Sequence, residues 1–354
     1  MTDSYDTFDE AYQDLTRSLS APRCGECAPR GERVRELLAA QICLRDPRTR
    51  VLSSPARAWD AGFAAGELCW YLRGAEDLAS IAYYSKRMPR WSDDGLSLAG
   101  AYGPRVFGAY EQTCRLCGYS RLIERHPTED ESGRVRAERH PDAPHVWWPP
   151  DGAPEIKSQW QLAREELLRD PDSRRAAVSV YDKFDGIRAA RGTRDVPCTM
   201  SLQFLLRENS ARSARLLHLV ATMRSCDLVW GLSNDVFSFS MLQEVMAVEL
   251  REAGMACELG AYVHQAASPH AYERHWDLVG RVAAEPPLVG ALMPPLGSRA
   301  DLDALLRDET ALREGRRPPP VAYGGAAAWL RGALERHREK RDAEAASPRE
   351  GASR

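Results

Sequence analysis

Lysine is scarce in this 354-residue chain: of 48 basic residues only Lys86, Lys157, Lys183 and Lys340 are lysines, so almost all positive charge is guanidinium. That charge suits bidentate contacts with phosphate or carboxylate. Neither sign is in excess, with 48 basic against 51 acidic residues and a formal net charge of -3. Bulk nucleic-acid binding is thereby excluded, because counterion release needs a concentrated basic surface. No apolar run approaches the length of a membrane span. The acidic start, Met1 to Glu10, has no basic segment followed by an apolar one, which excludes a secretory signal and predicts a cytoplasmic protein. The 9 cysteines are an odd number in a chain long enough to fold without staples, so free thiols are expected.

What is present is a globular pattern, 44% hydrophobic, in which helical periodicity alternates with short β-rich runs. The spacing predicts an α/β (α+β) protein with a mixed sheet flanked by helices. Helices are expected over 35–42, over 58–72 with Gly74 as the stop, and over 236–250, the last apolar around most of its circumference. Strands are expected over 176–181, 201–206 and 216–222, the last two adjacent and joined by a polar turn near Glu208. Charged, Pro-rich sequence over about 108–156 reads as an insertion on a single domain spanning 1–354. From about 317 the chain is Pro-rich, then a charged helix, then polar and disordered at its end.

Three stretches carry chemistry. In Asp195-Val-Pro-Cys198 the proline stiffens the approach to a strand, so Cys198 is either a nucleophile at the strand mouth or a small buried apolar residue. Met223-Arg-Ser-Cys-Asp227 continues through Gly231 to Asn234 and Asp235, bringing one guanidinium and two carboxylates between a strand and a helix. His270 and Tyr272 lie two apart, on one face if extended. Separately, Cys24-Gly-Glu-Cys27 and Cys114-Arg-Leu-Cys117, with His126, His140 and His145, offer an alternative zinc-binding structural protein. A cysteine hydrolase pairing Cys198 with His270 is a further alternative.

Together the three stretches resemble the thymidylate synthase family: a Pro-Cys nucleophile with a downstream Gln203, an Arg-Ser-x-Asp loop and a His-x-Tyr pair. Gly66-Glu67-Leu-Cys-Trp70-Tyr-Leu-Arg-Gly74, Ala101-Tyr102-Gly103 and Arg174-Arg175 before a strand extend the match from about 29 to 275. The resemblance implies a homodimer that binds a pyrimidine nucleotide and methylenetetrahydrofolate, with no obligatory metal. It implies that Cys198 adds to position 6 of the base and that Glu67 organises water and relays protons. Tyr102 would belong to the proton-removal network. Arg224, with Ser225, would bind the phosphate together with Arg30 (Arg23 as runner-up) and with Arg174 and Arg175 from the other subunit. His270 and Tyr272 would hold the sugar, Gln203 the nucleotide, and Asp227 and Trp91 the folate.

The departure is Asp235, which by ungapped counting from Arg224 falls where thymidylate synthases carry the asparagine that reads uracil. Cytosine reverses uracil's donor and acceptor at N3 and position 4, and a carboxyl sharing one proton with N3 complements it. Aspartate here resembles the cytidylate hydroxymethylases of this family, in which water adds to the methylene intermediate. Asn234 is the competing register and would restore a thymidylate synthase acting on dUMP. Ala176, following Arg175, replaces a bulky aliphatic residue, which favours CMP over dCMP as substrate or else reflects strand packing. Thr199 and Met223 depart from a common histidine and glutamine.

Overall fold

The computed structural model describes residues 4–21, 24–108, 157–209, 214–288 and 290–346, and the backbone alone of 111–114, 120–122 and 147–148. The chain runs β1 (Ser4–Tyr5), α1 (Phe8–Ser20), β2 (Gly25–Cys27), β3 (Val34–Glu36), β4 (Ala40–Leu44), α2 (Ala61–Leu72), α3 (Leu78–Tyr84) and α4 (Tyr102–Phe107). Then come β5 (Glu111–Cys114), β6 (Ser120–Leu122), β7 (Trp147–Trp148), α5 (Gln159–Arg169), β8 (Ala177–Ser179), α6 (Asp185–Ala190), β9 (Thr199–Arg207), β10 (Arg215–Met223) and β11 (Cys226–Asp227). Last are α7 (Leu232–Glu252), β12 (Cys257–Ala266), β13 (Pro269–Tyr272), α8 (Trp276–Ala283), α9 (Arg299–Arg313) and α10 (Gly325–Ala346).

Six strands form the main sheet in the order β1-β4-β12-β10-β9-β8. It is mixed: β10 pairs antiparallel with β9 but parallel with β12. Alternation over most of β9, β10 and β12 buries Leu202, Phe204, Leu217, Leu219 and Tyr262. Helix α7 packs against β10 and β12. Its residues 236–250 are all buried, as their all-round apolar character predicts. A second sheet, β11-β13-β3-β2, sits beside it. Among the described residues no helix is long and apolar enough to cross a membrane.

One sequence expectation fails. Residues 35–42 form no helix; they belong to β3 and β4, with Ala39 at φ +56 between them. Leu37 N–H donates to the Pro269 carbonyl and Ala39 N–H to Ala267, at 2.9 Å each, and β4 lies between β1 and β12. Pairing with distant strands overrides a short stretch's local helical spacing. The segment around α10 is also more than a charged extension. Ala326, Ala327, Leu330, Ala333, Leu334 and His337 are buried, and α10 packs on α2 and α9. Arg23, Cys117, His126, His140, His145, most of 108–156 and the polar end from 347 lie outside the described residues.

Candidate active site

Cys198, Glu67, Tyr102 and Asp235 are each partly exposed while both chain neighbours of each are buried. They come from four different segments, and the Asp235 charge acts on each of the other three, so they share one partly open region, the candidate cleft. Helix α2 presents Glu67, with Asp60 capping the helix by accepting from Gly62 and Phe63 N–H. At its other end Gly74, at φ +66, stops it. Cys198 stands at the mouth of β9 and Tyr102 at the first turn of α4. Asp235 lies in the first turn of α7, its N–H donating to the Gly231 carbonyl at 3.0 Å.

The approach to Cys198 is held from two sides. Arg224 donates through Nε to the Pro197 carbonyl at 2.9 Å and through Nη2 to Val196 at 3.0 Å, and its backbone N–H reaches the Cys198 carbonyl at 2.9 Å. Asp195 accepts from Gly100 N–H at 2.8 Å, tying the same loop to the segment that begins α4. A Cβ on Gly100 would stand 2.9 Å from that carboxylate, which is why glycine fits there. Burial pushes the Cys198 thiol above its ordinary value, the Arg224 and Arg30 guanidinium groups pull it down, and Asp235 and Asp195 push it up. Arg30 reaches this field from the turn Pro29–Gly31, where its own φ is +55.

The carboxyls beside the thiol are unlike surface acids. Burial, then the Asp227 charge, pushes Asp235 up to about 7. Burial and the Asp235 charge push Glu67 up to about 8, against a hydrogen bond with Tyr71. Tyr71 stacks on Tyr102 with ring centroids 5.2 Å apart, and the Tyr102 hydroxyl feels the charges of Asp235 and Cys198 and approaches Thr199. Both carboxyls therefore hold their protons to a higher pH than surface acids do. Gly231 leaves the Asp235 carboxyl its room, since a Cβ there would lie 3.2 Å from Oδ2.

Asn234, the other candidate for the reading position, is turned away. Its Oδ1 accepts from Trp59 Nε1 at 2.9 Å and its Nδ2 donates to the Trp230 carbonyl at 2.9 Å, so both ends of the amide are engaged. Asp227 Oδ1 accepts from Val229 and Trp230 N–H, while Oδ2 is buried with no partner among the described residues. Asp227 faces His270 across the β11–β13 pairing. His270 Nδ1 lies 3.0 Å from the Ser268 carbonyl and its ring meets Tyr272 edge-on at 5.2 Å. Ser225 is partly exposed between Arg224 and the buried Cys226. Trp91 packs in a small aromatic cluster with Tyr71 and Tyr102.

Other expected residues lie elsewhere in this subunit. Arg174 and Arg175 are exposed beyond α5, lining a shallow cavity with Ser173, Asp172 and Glu166. Gln203 is five residues further along β9 than Cys198, roughly 16 Å at an extended rise, and its amide donates to the Arg174 carbonyl at 2.9 Å. Ala176 is fully buried in the main core. Among the described residues no group of three or more His, Cys, Asp or Glu side chains is placed to hold a metal ion. Sequence reasoning missed Tyr71, Asp195 and Trp59. The i,i+4 spacing from Glu67 could have found Tyr71; nothing in the sequence links Trp59 to Asn234.

Residues 54–289 match the thymidylate synthase family model, and the chain belongs to that family. It is similar to the deoxyuridylate hydroxymethyltransferase of Bacillus phage SP01, 28% identical over 247 residues that cover 69% of this chain and 52% of the relative. The protein of the same name from Pseudomonas phage M6 is 28% identical over 251 residues, 70% of this chain and 55% of the relative. The chain thus spans about half the length of these curated relatives. Among solved structures, thermostable thymidylate synthase A from Bacillus subtilis superposes with a TM-score of 0.53 at 17% identity, covering 80% of this chain and 86% of that one. That likeness establishes the fold, a thymidylate-synthase-like arrangement of mixed sheets flanked by helices.

Proposed function

We propose that the chain is a hydroxymethyltransferase that carries a one-carbon unit from methylenetetrahydrofolate to position 5 of a cytidylate, CMP in preference to dCMP. The observation that carries the reading is the contrast at 234 and 235. The Asn234 amide is engaged at both ends, whereas the Asp235 carboxyl stands in the cleft with Cys198, Tyr102 and Glu67 and is pushed up to about 7. A carboxyl that holds a proton near neutral pH can give it to cytosine N3 while accepting from the 4-amino group. N3 of cytosine is far more basic than O4 of uracil, so only cytosine turns the shared proton into a charge-assisted pair.

Cys198 Sγ then forms a bond to C6, and the Arg224 and Arg30 charges oppose the burial that keeps the thiol protonated. An ordered nucleotide phosphate between these guanidinium groups anchors the base, with His270 and Tyr272 on the sugar. The thiol proton leaves as the S–C6 bond forms, and C5 becomes the nucleophile and bonds to the methylene carbon. The C5 proton leaves toward the Tyr102 hydroxyl network as tetrahydrofolate is released, water adds to the methylene, and the C6–S bond then breaks to return the thiol. Folate supplies the methylene carbon when bound, and the unpartnered Asp227 Oδ2 fits a ring N–H donor of such a molecule. Glu67, protonated near neutral pH and bonded to Tyr71, positions the water that adds to the methylene. Arg174 and Arg175, away from their own subunit's cleft, reach the partner's phosphate in a homodimer. On this reading the reaction is that of the CMP 5-hydroxymethylases of nucleoside antibiotic biosynthesis.

The relatives' name favours a second reading, a deoxyuridylate hydroxymethyltransferase. A neutral carboxyl has one donor and one acceptor and can also face uracil. One reaction decides between them: methylenetetrahydrofolate with equimolar CMP, dCMP, UMP and dUMP, products identified by mass. A hydroxymethyl adduct on CMP is expected. The adduct on dCMP would overturn the sugar assignment, the adduct on dUMP would overturn the base assignment, and a methyl product on dUMP would make the chain a thymidylate synthase.

A further inference from the structure

Trp59 sits just before α2, 175 residues from Asn234 in sequence, yet its indole Nε1 donates to Asn234 Oδ1 at 2.9 Å. The other end of that amide is fixed by the Trp230 carbonyl, and Asn234 is 8% exposed. The Trp59 ring packs on Phe237 at 5.2 Å, and Phe237 in turn meets Trp329 of α10 at 5.9 Å. Thus the indole is braced from behind by α7 and α10 and can hold its N–H in one direction. Asn234 and Asp235 are adjacent in the first turn of α7, and they carry opposite hydrogen-bonding logic: an amide has fixed donors and a fixed acceptor, a carboxyl exchanges a proton. Whichever side chain faces the cleft reads the base.

We propose that Trp59 is a specificity-determining positioning residue: by engaging the Asn234 amide outside the cleft, it leaves Asp235 as the group that reads the base. This deepens the function proposed above and rests on the same cleft being a nucleotide site. Removing only the indole N–H frees Asn234 Oδ1, which must then find another donor because an unpartnered buried carbonyl is costly. On this proposal the released side chain turns toward its neighbour Asp235 and competes for the base.

The test uses the whole protein and two single variants with their double. Trp59→Phe keeps the aromatic contact with Phe237 and removes the donor. The readout is the ratio of dissociation constants for CMP and UMP, with the pH profile of binding and the KM-against-kcat split measured alongside. Trp59→Phe is expected to change the ratio roughly tenfold toward uracil, the worth of about one hydrogen bond. Asn234→Ala in the same background is expected to restore it, because no amide remains to be held. Asn234→Ala alone should keep the native ratio. An unchanged ratio in Trp59→Phe, or a changed ratio that Asn234→Ala leaves as it is, would overturn the proposal. If Trp59→Phe does not fold, Asn234→Ala alone decides: a ratio shifted as far as tenfold would overturn it, and the native ratio would support it. A wild type that prefers UMP refutes the cytidylate reading, yet the Trp59 proposal still stands or falls on the change in ratio. No nucleotide binding at all would sink both.

Discussion

The thiol of Cys198 is held above its ordinary pKa by burial even though two guanidinium groups act on it, so the free protein keeps it protonated at neutral pH. Cys198→Ala should lower turnover by roughly three orders of magnitude or more while nucleotide binding remains measurable by calorimetry. Retained turnover would remove this residue from the chemistry. The two raised carboxyls have a consequence for stability with a defined sign. Asp235 and Glu67 are pushed up to about 7 and about 8, so between the ordinary carboxylate range and those values the folded state binds protons that the unfolded chain does not. Their contribution is fully present below the ordinary range and is lost as pH rises through about 7 to 8. Thermal unfolding should therefore show stability falling from the ordinary carboxylate range up to about 8 and levelling off above it. The double variant Asp235→Asn, Glu67→Gln should flatten the curve, and an unchanged slope would show that these carboxyls do not titrate above the ordinary range.

At the level of elements, helix α2 is a tightly packed carrier for Glu67. Gly66 lies against the ring of Tyr84, and a Cβ there would stand 2.5 Å from ring carbons. The ring cannot retreat easily, because the Tyr84 hydroxyl donates to the buried Glu309 carboxylate at 2.7 Å and Arg73 and Arg313 pair with that same group. Gly66→Ala should cost about 1–3 kcal/mol in denaturant unfolding, despite alanine's better helix propensity. A neutral or stabilising result would mean that α2 and α3 can separate. Gly66-Glu67 was legible in the sequence as a motif. The reason for glycine was not, because Tyr84 approaches from another helix. The failed helix over 35–42 has the same cause on the strand side: the local spacing is weak, and β4 exists because β1 and β12 flank it.

For the whole molecule, the sheet and the cleft divide the expected phosphate site between two places. Arg224 and Arg30 act electrostatically on Cys198, and Arg174 and Arg175 are exposed beyond α5. If the latter pair serves a partner subunit, mixing inactive Cys198→Ala protein with inactive Arg174→Ala, Arg175→Ala protein should restore activity. Random reassortment of dimers predicts about a quarter of the wild-type level; no recovery after confirmed subunit exchange would place the pair outside the site. The sequence by itself determined the strands β9 and β10, the buried helix α7, the family pattern around Cys198 and Arg224, and the choice of Asp235 by counting. These are carried by periodicity and by short spacings that survive along the chain. Only the tertiary structure decided that Asn234 is occupied by Trp59, that Gln203 stands away from the cleft and that Ala176 is fully buried. It also decided that Glu67 and Asp235 share enough burial and charge to hold protons near neutral pH. Each depends on groups far apart in sequence meeting in a medium from which water is largely removed, and no local pattern records that meeting.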